Sequence, residues 1–217
     1  MALVKQELLS VVAEKSFRLG EFKLSAGGTS DYYIDCRATT LDGEGARLTS
    51  RVFLDEIYRH GWTPEAIGGL TMGADPIVAC VAMLSAQQVQ GRGRPGEPGD
   101  EQGWLLHGFL VRKAEKTHGT GQRIEGFRKK GAKVVIVDDV CTTGASTVQA
   151  IEAAREFGFD VVGAMCLVER EESNGRANVE KAAAPARFVS IFTARDVREE
   201  HLRLQRATAT PAAIKHL

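Results

Sequence analysis

Along the first sixty positions apolar residues recur at helical spacing; beyond them they gather into short continuous runs. In residues 3–15, Leu8, Val11 and Val12 share one side of a helix that Gly20 is expected to end. FKLSAGGTSDYYIDC, with Gly27 and Gly28 at its centre, predicts a short hairpin. Residues 44–60 predict a second helix with Leu48, Val52, Phe53 and Ile57 on one face. Strands are then predicted over 65–71, 103–112, 133–140, 161–169 and 187–192, with helices over 77–84, 147–158 and 195–206. Strands that are apolar throughout, separated by helices, imply a parallel sheet covered on both faces. The expected class is α/β: a central, mainly parallel sheet flanked by helices. Ligands in such sheets lie at the carboxyl ends of the strands.

Two polar stretches interrupt this pattern. Residues 91–103 have the glycine, proline and charge content of a solvated loop, and residues 113–126 read as a glycine-punctuated flexible loop. The 217 residues suit one domain with a short appended element, and 43% apolar with 26% charged residues is a globular balance. Lys plus Arg and Asp plus Glu each total 28, which argues against coating nucleic acid or an anionic membrane. Cys36, Cys80, Cys141 and Cys166 form no CxxC pair, so reduced thiols in the cytoplasm are expected. The charged N-terminal segment reads as an amphipathic helix, not a signal peptide, and no apolar run has membrane-spanning length.

The chemistry concentrates in VVIVDDVCTTGAST, residues 134–147. An apolar strand delivers Asp138 and Asp139 to its carboxyl end, and the chain turns through small and hydroxyl residues into a helix. Such a turn aims backbone N–H groups, hydroxyls and the positive helix end at one phosphate. The adjacent carboxylates can accept hydrogen bonds from ribose hydroxyls. Together they describe a ribose 5-phosphate site. No GxxxxGK[ST] loop is present, and GTGQRIEG has the wrong spacing for a dinucleotide fingerprint.

This segment resembles the signature of the type I phosphoribosyltransferases, which bind phosphoribosyl pyrophosphate (PRPP). The resemblance implies that Asp138 and Asp139 contact the ribose and that Val140, Cys141, Thr142, Thr143, Gly144, Ala145, Ser146 and Thr147 surround its phosphate. In FLVRKAEKTHGTGQRIEG, Arg112, Lys113, Lys116 and His118 put four cations within seven residues, an anion clamp. That segment resembles the R-K-x-x-K-x-H-G loop of the orotate phosphoribosyltransferases, which closes over pyrophosphate and reaches into the partner subunit's site; a homodimer is implied. GEFKLSAGGTSDYYIDCR resembles that family's N-terminal motif near the base, implying roles for Tyr33 and Ile34. GGLTMGADPIVA resembles its pyrophosphate loop, here Thr71, Met72, Gly73 and Ala74, and CLVERE places Arg170 where the family faces the orotate carboxylate, with Thr142 also beside the base.

The resemblance implies transfer of 5-phosphoribosyl from PRPP to orotate in pyrimidine (UMP) biosynthesis, with Mg²⁺ held mainly by PRPP. Lys113, Lys116, His118 and Asp139 would carry the catalysis. It implies a small hood element over residues 1–40 and a phosphoribosyltransferase core over 41–217. This chain departs from the pattern where some members carry lysines, at Ser25 and at Met72-Gly73. A phosphoribosyltransferase for a purine or uracil is the alternative, and a non-catalytic PRPP-binding regulator a further one; against the latter, the 217 residues leave neither room nor basic surplus for an added nucleic-acid-binding domain, and the clamp is retained.

Overall fold

A computed structural model describes residues 2–23, 29–90, 105–113 and 123–209. Helix α1 (Ala2–Lys15) leads into a two-stranded antiparallel sheet of β1 (Phe17–Lys23) and β2 (Thr29–Ile34). Gly20, expected to close the first helix, lies inside β1: the helix stops at Lys15, and Phe17 turns inward to pack on Tyr32. A four-residue helix, α2 (Arg37–Thr40), precedes α3 (Gly43–Arg59). Asp42 caps α3 by accepting from Gly45 N–H at 3.0 Å, satisfying one of its unpaired donors.

The main sheet then forms from β3 (Ala66–Leu70), β4 (His107–Val111), β5 (Ile124–Gly126), β6 (Lys133–Cys141), β7 (Asp160–Glu169) and β8 (Arg187–Thr193), in the order β5-β4-β3-β6-β7-β8. Every neighbouring pair is parallel except β4 with β5. Residues 124–126, read from sequence as loop, are therefore an edge strand. Their partner β4 supplies the order that three residues alone cannot. Helices α4 (Asp75–Gln90), α5 (Ala145–Phe157), α6 (Gly175–Ala183) and α7 (Ala194–Ala209) connect or follow the strands. The predicted buried helix at 77–84 is twice as long, and α6 had no counterpart among the expected elements. Among the described residues no helix is long and apolar enough to cross a membrane.

Strand β6 explains why both faces are covered. Successive side chains alternate between faces, and here Val135 and Val137 join Leu48, Phe53, Ile77, Met165 and Leu167 in one core, while Val134 and Ile136 join Phe109, Ile151, Ala154 and Phe159 in the other. Helix α1 shares the first core with α3 and α7 through Leu8, Val12 and Val197. Going from β3 to β4 the chain moves one way across the sheet; from β6 through β7 to β8 it moves the other. The boundary between β3 and β6 is the switch point, where open α/β sheets hold their ligands.

Candidate active site

A cleft of 290 Å³ opens over the carboxyl ends of β3 and β6. Its floor is the acidic pair. Asp138 is only 4% exposed and takes a hydrogen bond from Thr147 Oγ1 at 3.0 Å and another from the Asp139 amide at 3.0 Å. Asp139 Oδ1 accepts from the Val140 amide at 2.9 Å. Burial, reinforced by the neighbouring Asp139 charge, pushes the Asp138 carboxyl up to about 7, and burial likewise raises Asp139. Two carboxylates held side by side without a cation between them favour sharing a proton. A ligand that donates hydrogen bonds to them, or a cation, would favour the charged form.

The next turn provides the anion site. Gly144 has φ +76°, a left-handed conformation that its missing side chain permits, and as the N-cap residue it offers α5 no side-chain acceptor. Thr143 Oγ1 accepts from the Ala145 amide at 3.4 Å, and the Ser146 amide at the helix start is left beside Thr142 and Ser146, which line the cleft. Thr147 is turned the other way: buried, it serves Asp138 and not the phosphate position. Cys141 faces the second core, where a hydrogen bond with Cys166 holds its thiol below the usual range while burial pushes Cys166 up. It can serve the turn only through its backbone. Ala145 and Thr143 are exposed outside the cleft, and Asn178 of α6 donates to the Thr143 carbonyl at 3.0 Å.

The loop after β3 forms one wall. Thr71 and Met72 line it, the Thr71 hydroxyl donates to Asp75 at 2.7 Å, and Ala74 is fully buried beneath. Gly73 lies so close to the acidic pair that a Cβ there would overlap the Asp139 carboxylate. That contact accounts for glycine at a place where a longer side chain would displace Asp139. The opposite wall is the end of β2. Alternation buries Tyr32 and Ile34 and leaves Tyr33 44% exposed; Tyr33 and the buried Ile34 both line the cleft.

Lys113 lines the cleft at the end of β4, and its carbonyl accepts from Gln149 at 3.1 Å. Arg112 is exposed and paired with Glu125 at 3.4 Å across the β4–β5 ladder. Lys116 and His118 lie outside the described residues. Arg170 is not among the cleft-lining residues. It is 8% exposed, stacks on the Tyr32 ring at 4.6 Å, and donates to Glu172 at 3.0 Å and to the hydroxyls of Tyr32 at 3.1 Å and Ser30 at 3.2 Å. Tyr32 also bonds Glu172, and burial pushes its phenol up to about 12. Glu172 itself is held below the usual carboxylate range by these donors, against an opposing burial effect.

Sequence reasoning missed Asp35, Arg37 and Leu70, all of which line the cleft. The signal for the first two was an acid and a base flanking Cys36 directly after the strand that carries Tyr33. Among the described residues, no group of three or more His, Cys, Asp or Glu side chains could hold a metal by itself. Asp138 and Asp139 are the hard oxygen donors present at the cleft floor.

Residues 106–185 match the family profile described as Phosphoribosyl transferase domain. The orotate phosphoribosyltransferase of Streptomyces avermitilis is 41% identical over 185 residues, covering 85% of this chain and 93% of that one. That of Aquifex aeolicus is 36% identical over 195 residues, covering 88% and 96%. A crystal structure of the Mycobacterium tuberculosis H37Rv orotate phosphoribosyltransferase in complex with PRPP superposes with a TM-score of 0.63 at 26% identity, covering 90% of this chain and 92% of that one. With identity at this level extending over so much of both chains, and the acidic pair and phosphate turn at the switch point of the sheet, the chain belongs to the orotate phosphoribosyltransferase family.

Proposed function

We propose that this protein transfers ribose 5-phosphate from PRPP to a ring nitrogen of orotate, forming orotidine 5′-monophosphate and pyrophosphate. The carrying observation is that one cleft joins an acidic pair, Asp138 buried and Asp139 half-buried, to a helix start lined by Thr142 and Ser146. Asp138 and Asp139 accept the ribose 2′ and 3′ hydroxyls, and the amides of Thr143, Gly144 and Ser146 with the Thr142 and Ser146 hydroxyls hold the 5-phosphate. The bond from C1 to the pyrophosphate oxygen breaks as the base nitrogen bonds to C1, so positive charge grows on the ribose and negative charge on the leaving pyrophosphate. Lys113, Lys116 and His118 stabilise that leaving charge, the Met72 and Gly73 amides lie beside it while those of Thr71 and Ala74 are bonded to the Val111 and Leu70 carbonyls, and Asp139 takes the proton released from the ring nitrogen. Tyr33, Ile34 and Thr142 flank the base, and Arg170, which lies behind Tyr32 bonded to Glu172 and Ser30, pairs with its carboxylate by giving up those partners.

Mg²⁺ suits this cleft as a hard cation: Asp138 and Asp139 offer it two carboxylates, substrate oxygens would complete its shell, and it would supply neutralisation of pyrophosphate charge. The working form is a homodimer in which the 113–126 loop serves the partner's site. Met72 at the cleft rim and Met83 farther along α4, both exposed apolar side chains in the single chain, support a covering subunit. Four unpaired cysteines support a reducing, cytoplasmic compartment.

Loss of orotate absorbance on addition of PRPP and Mg²⁺, run beside uracil, adenine, hypoxanthine and xanthine, tests the base assignment. Turnover of another base with none of orotate would overturn it. Lys116→Ala should lower turnover ~10²–10³-fold with an unchanged melting temperature; near-normal turnover would remove Lys116 from the machinery.

A further inference from the structure

The cleft's described lining is poor in cations for the anion it takes. It carries three carboxylates, Asp35, Asp138 and Asp139, against two cations, Arg37 and Lys113. Pyrophosphate must settle close to these acids, beside a wall whose Gly73 cannot carry a lysine without moving Asp139. A fixed cation on the opposite wall would offset that repulsion, and Arg37 occupies the position.

Arg37 is organised before any ligand arrives. Its Nε and Nη2 donate to the two oxygens of Asp35 at 2.8 Å each, and its backbone amide donates to Asp35 Oδ1 at 3.1 Å. This planar fork fixes the guanidinium and does not use its Nη1 end. Nothing about the pair is needed for the core: the Arg37 side chain is 44% exposed, and the two residues are separated only by Cys36 in a local turn. The guanidinium also senses the Asp139 charge across the cleft, besides the stronger hold of Asp35. A purely structural surface pair has no cause to line the cleft that faces Asp139.

Resting on the reading of the cleft as a PRPP site, we infer that Arg37 is a pyrophosphate-binding residue and Asp35 the positioning residue that aims it. A cation built into the cleft wall meets pyrophosphate equally in the substrate and in the transition state. Such uniform binding lowers KM for PRPP and leaves the rate of the bound complex nearly untouched. This separates Arg37 from Lys116, whose removal should depress turnover.

The test is calorimetric titration of the full chain with inorganic pyrophosphate in magnesium buffer, and separately with orotidine 5′-monophosphate, which has no pyrophosphate group. Arg37→Ala should weaken pyrophosphate binding at least tenfold and raise KM for PRPP similarly, with kcat and the nucleotide affinity within about twofold of wild type. Arg37→Lys should recover little, because an ammonium cannot take the Asp35 fork, and Asp35→Asn should give an intermediate loss. Unchanged pyrophosphate affinity in Arg37→Ala, or an equal loss for both ligands, would overturn the assignment. A wild-type chain that binds pyrophosphate but leaves orotate unconsumed would instead fault the base assignment and leave Arg37 standing.

Discussion

Asp138 is where this fold gives up stability for its site. Its carboxyl titrates near 7 in the fold against 3.8 in an unfolded chain, because burial and Asp139 disfavour its charge. Between those values the folded protein binds more protons than the unfolded one, so this residue's contribution falls as pH rises from about 4 to about 7 and is level above. Asp138→Asn, which keeps an acceptor for Thr147, should therefore gain on the wild type as pH increases. Urea melts at pH 5, 6, 7 and 8 would reveal it: the stability difference should move in favour of the variant by pH 8, while activity is lost. A difference that stays constant with pH would mean that the carboxyl is already ionised throughout.

Helix α6 shows how a short element is held by what it supports. Nine residues with a thin apolar face form no stable helix alone. Its start lies against the phosphate turn, with Gly175 packed on the Thr142 carbonyl, and its end is tied down by Arg155, whose guanidinium donates to the carbonyls of Ala182 at 2.5 Å, Ala183 at 2.6 Å and Ala184 at 3.0 Å. Arg155→Ala should cost ~1–2 kcal/mol, seen as a lower urea midpoint at unchanged slope; an unmoved midpoint would show that water replaces the guanidinium. The same dependence on neighbours explains why α6, α2 and β5 were illegible in the sequence, whereas β6, with four apolar residues ending sharply at two acids, was plain. The site divides similarly. Asp138, Asp139 and the turn are contiguous and could be read, but Arg37 joins them only when the end of β2 is folded over β6, and the bond from Arg170 to Tyr32 needs two distant segments in contact.

At the scale of the whole molecule, the sheet brings β3, β4 and β6 to one cleft and leaves β5 at the edge, so residues 114–122 run between Lys113, which lines the cleft, and Arg123 at the start of the edge strand. Both ends are anchored: the Lys113 carbonyl to Gln149, and the Arg112 amide to the Arg123 carbonyl at 2.9 Å. Whether Lys116 serves the cleft of its own chain or that of a second copy is decided by two crippled proteins. Lys116→Ala keeps its acidic pair, and Asp139→Asn keeps its loop. If loops cross in a twofold dimer, each mixed dimer rebuilds one site with both intact and concentrates both defects in the other. Random mixing makes about half the dimers mixed, each with one working site, so activity should rise to about a quarter of wild type. If each loop serves its own chain, every site in the mixture keeps one defect and activity stays at the sum of the parents. Co-refolding the two variants and measuring orotate consumption decides between a site completed within one chain and a site that exists only between two.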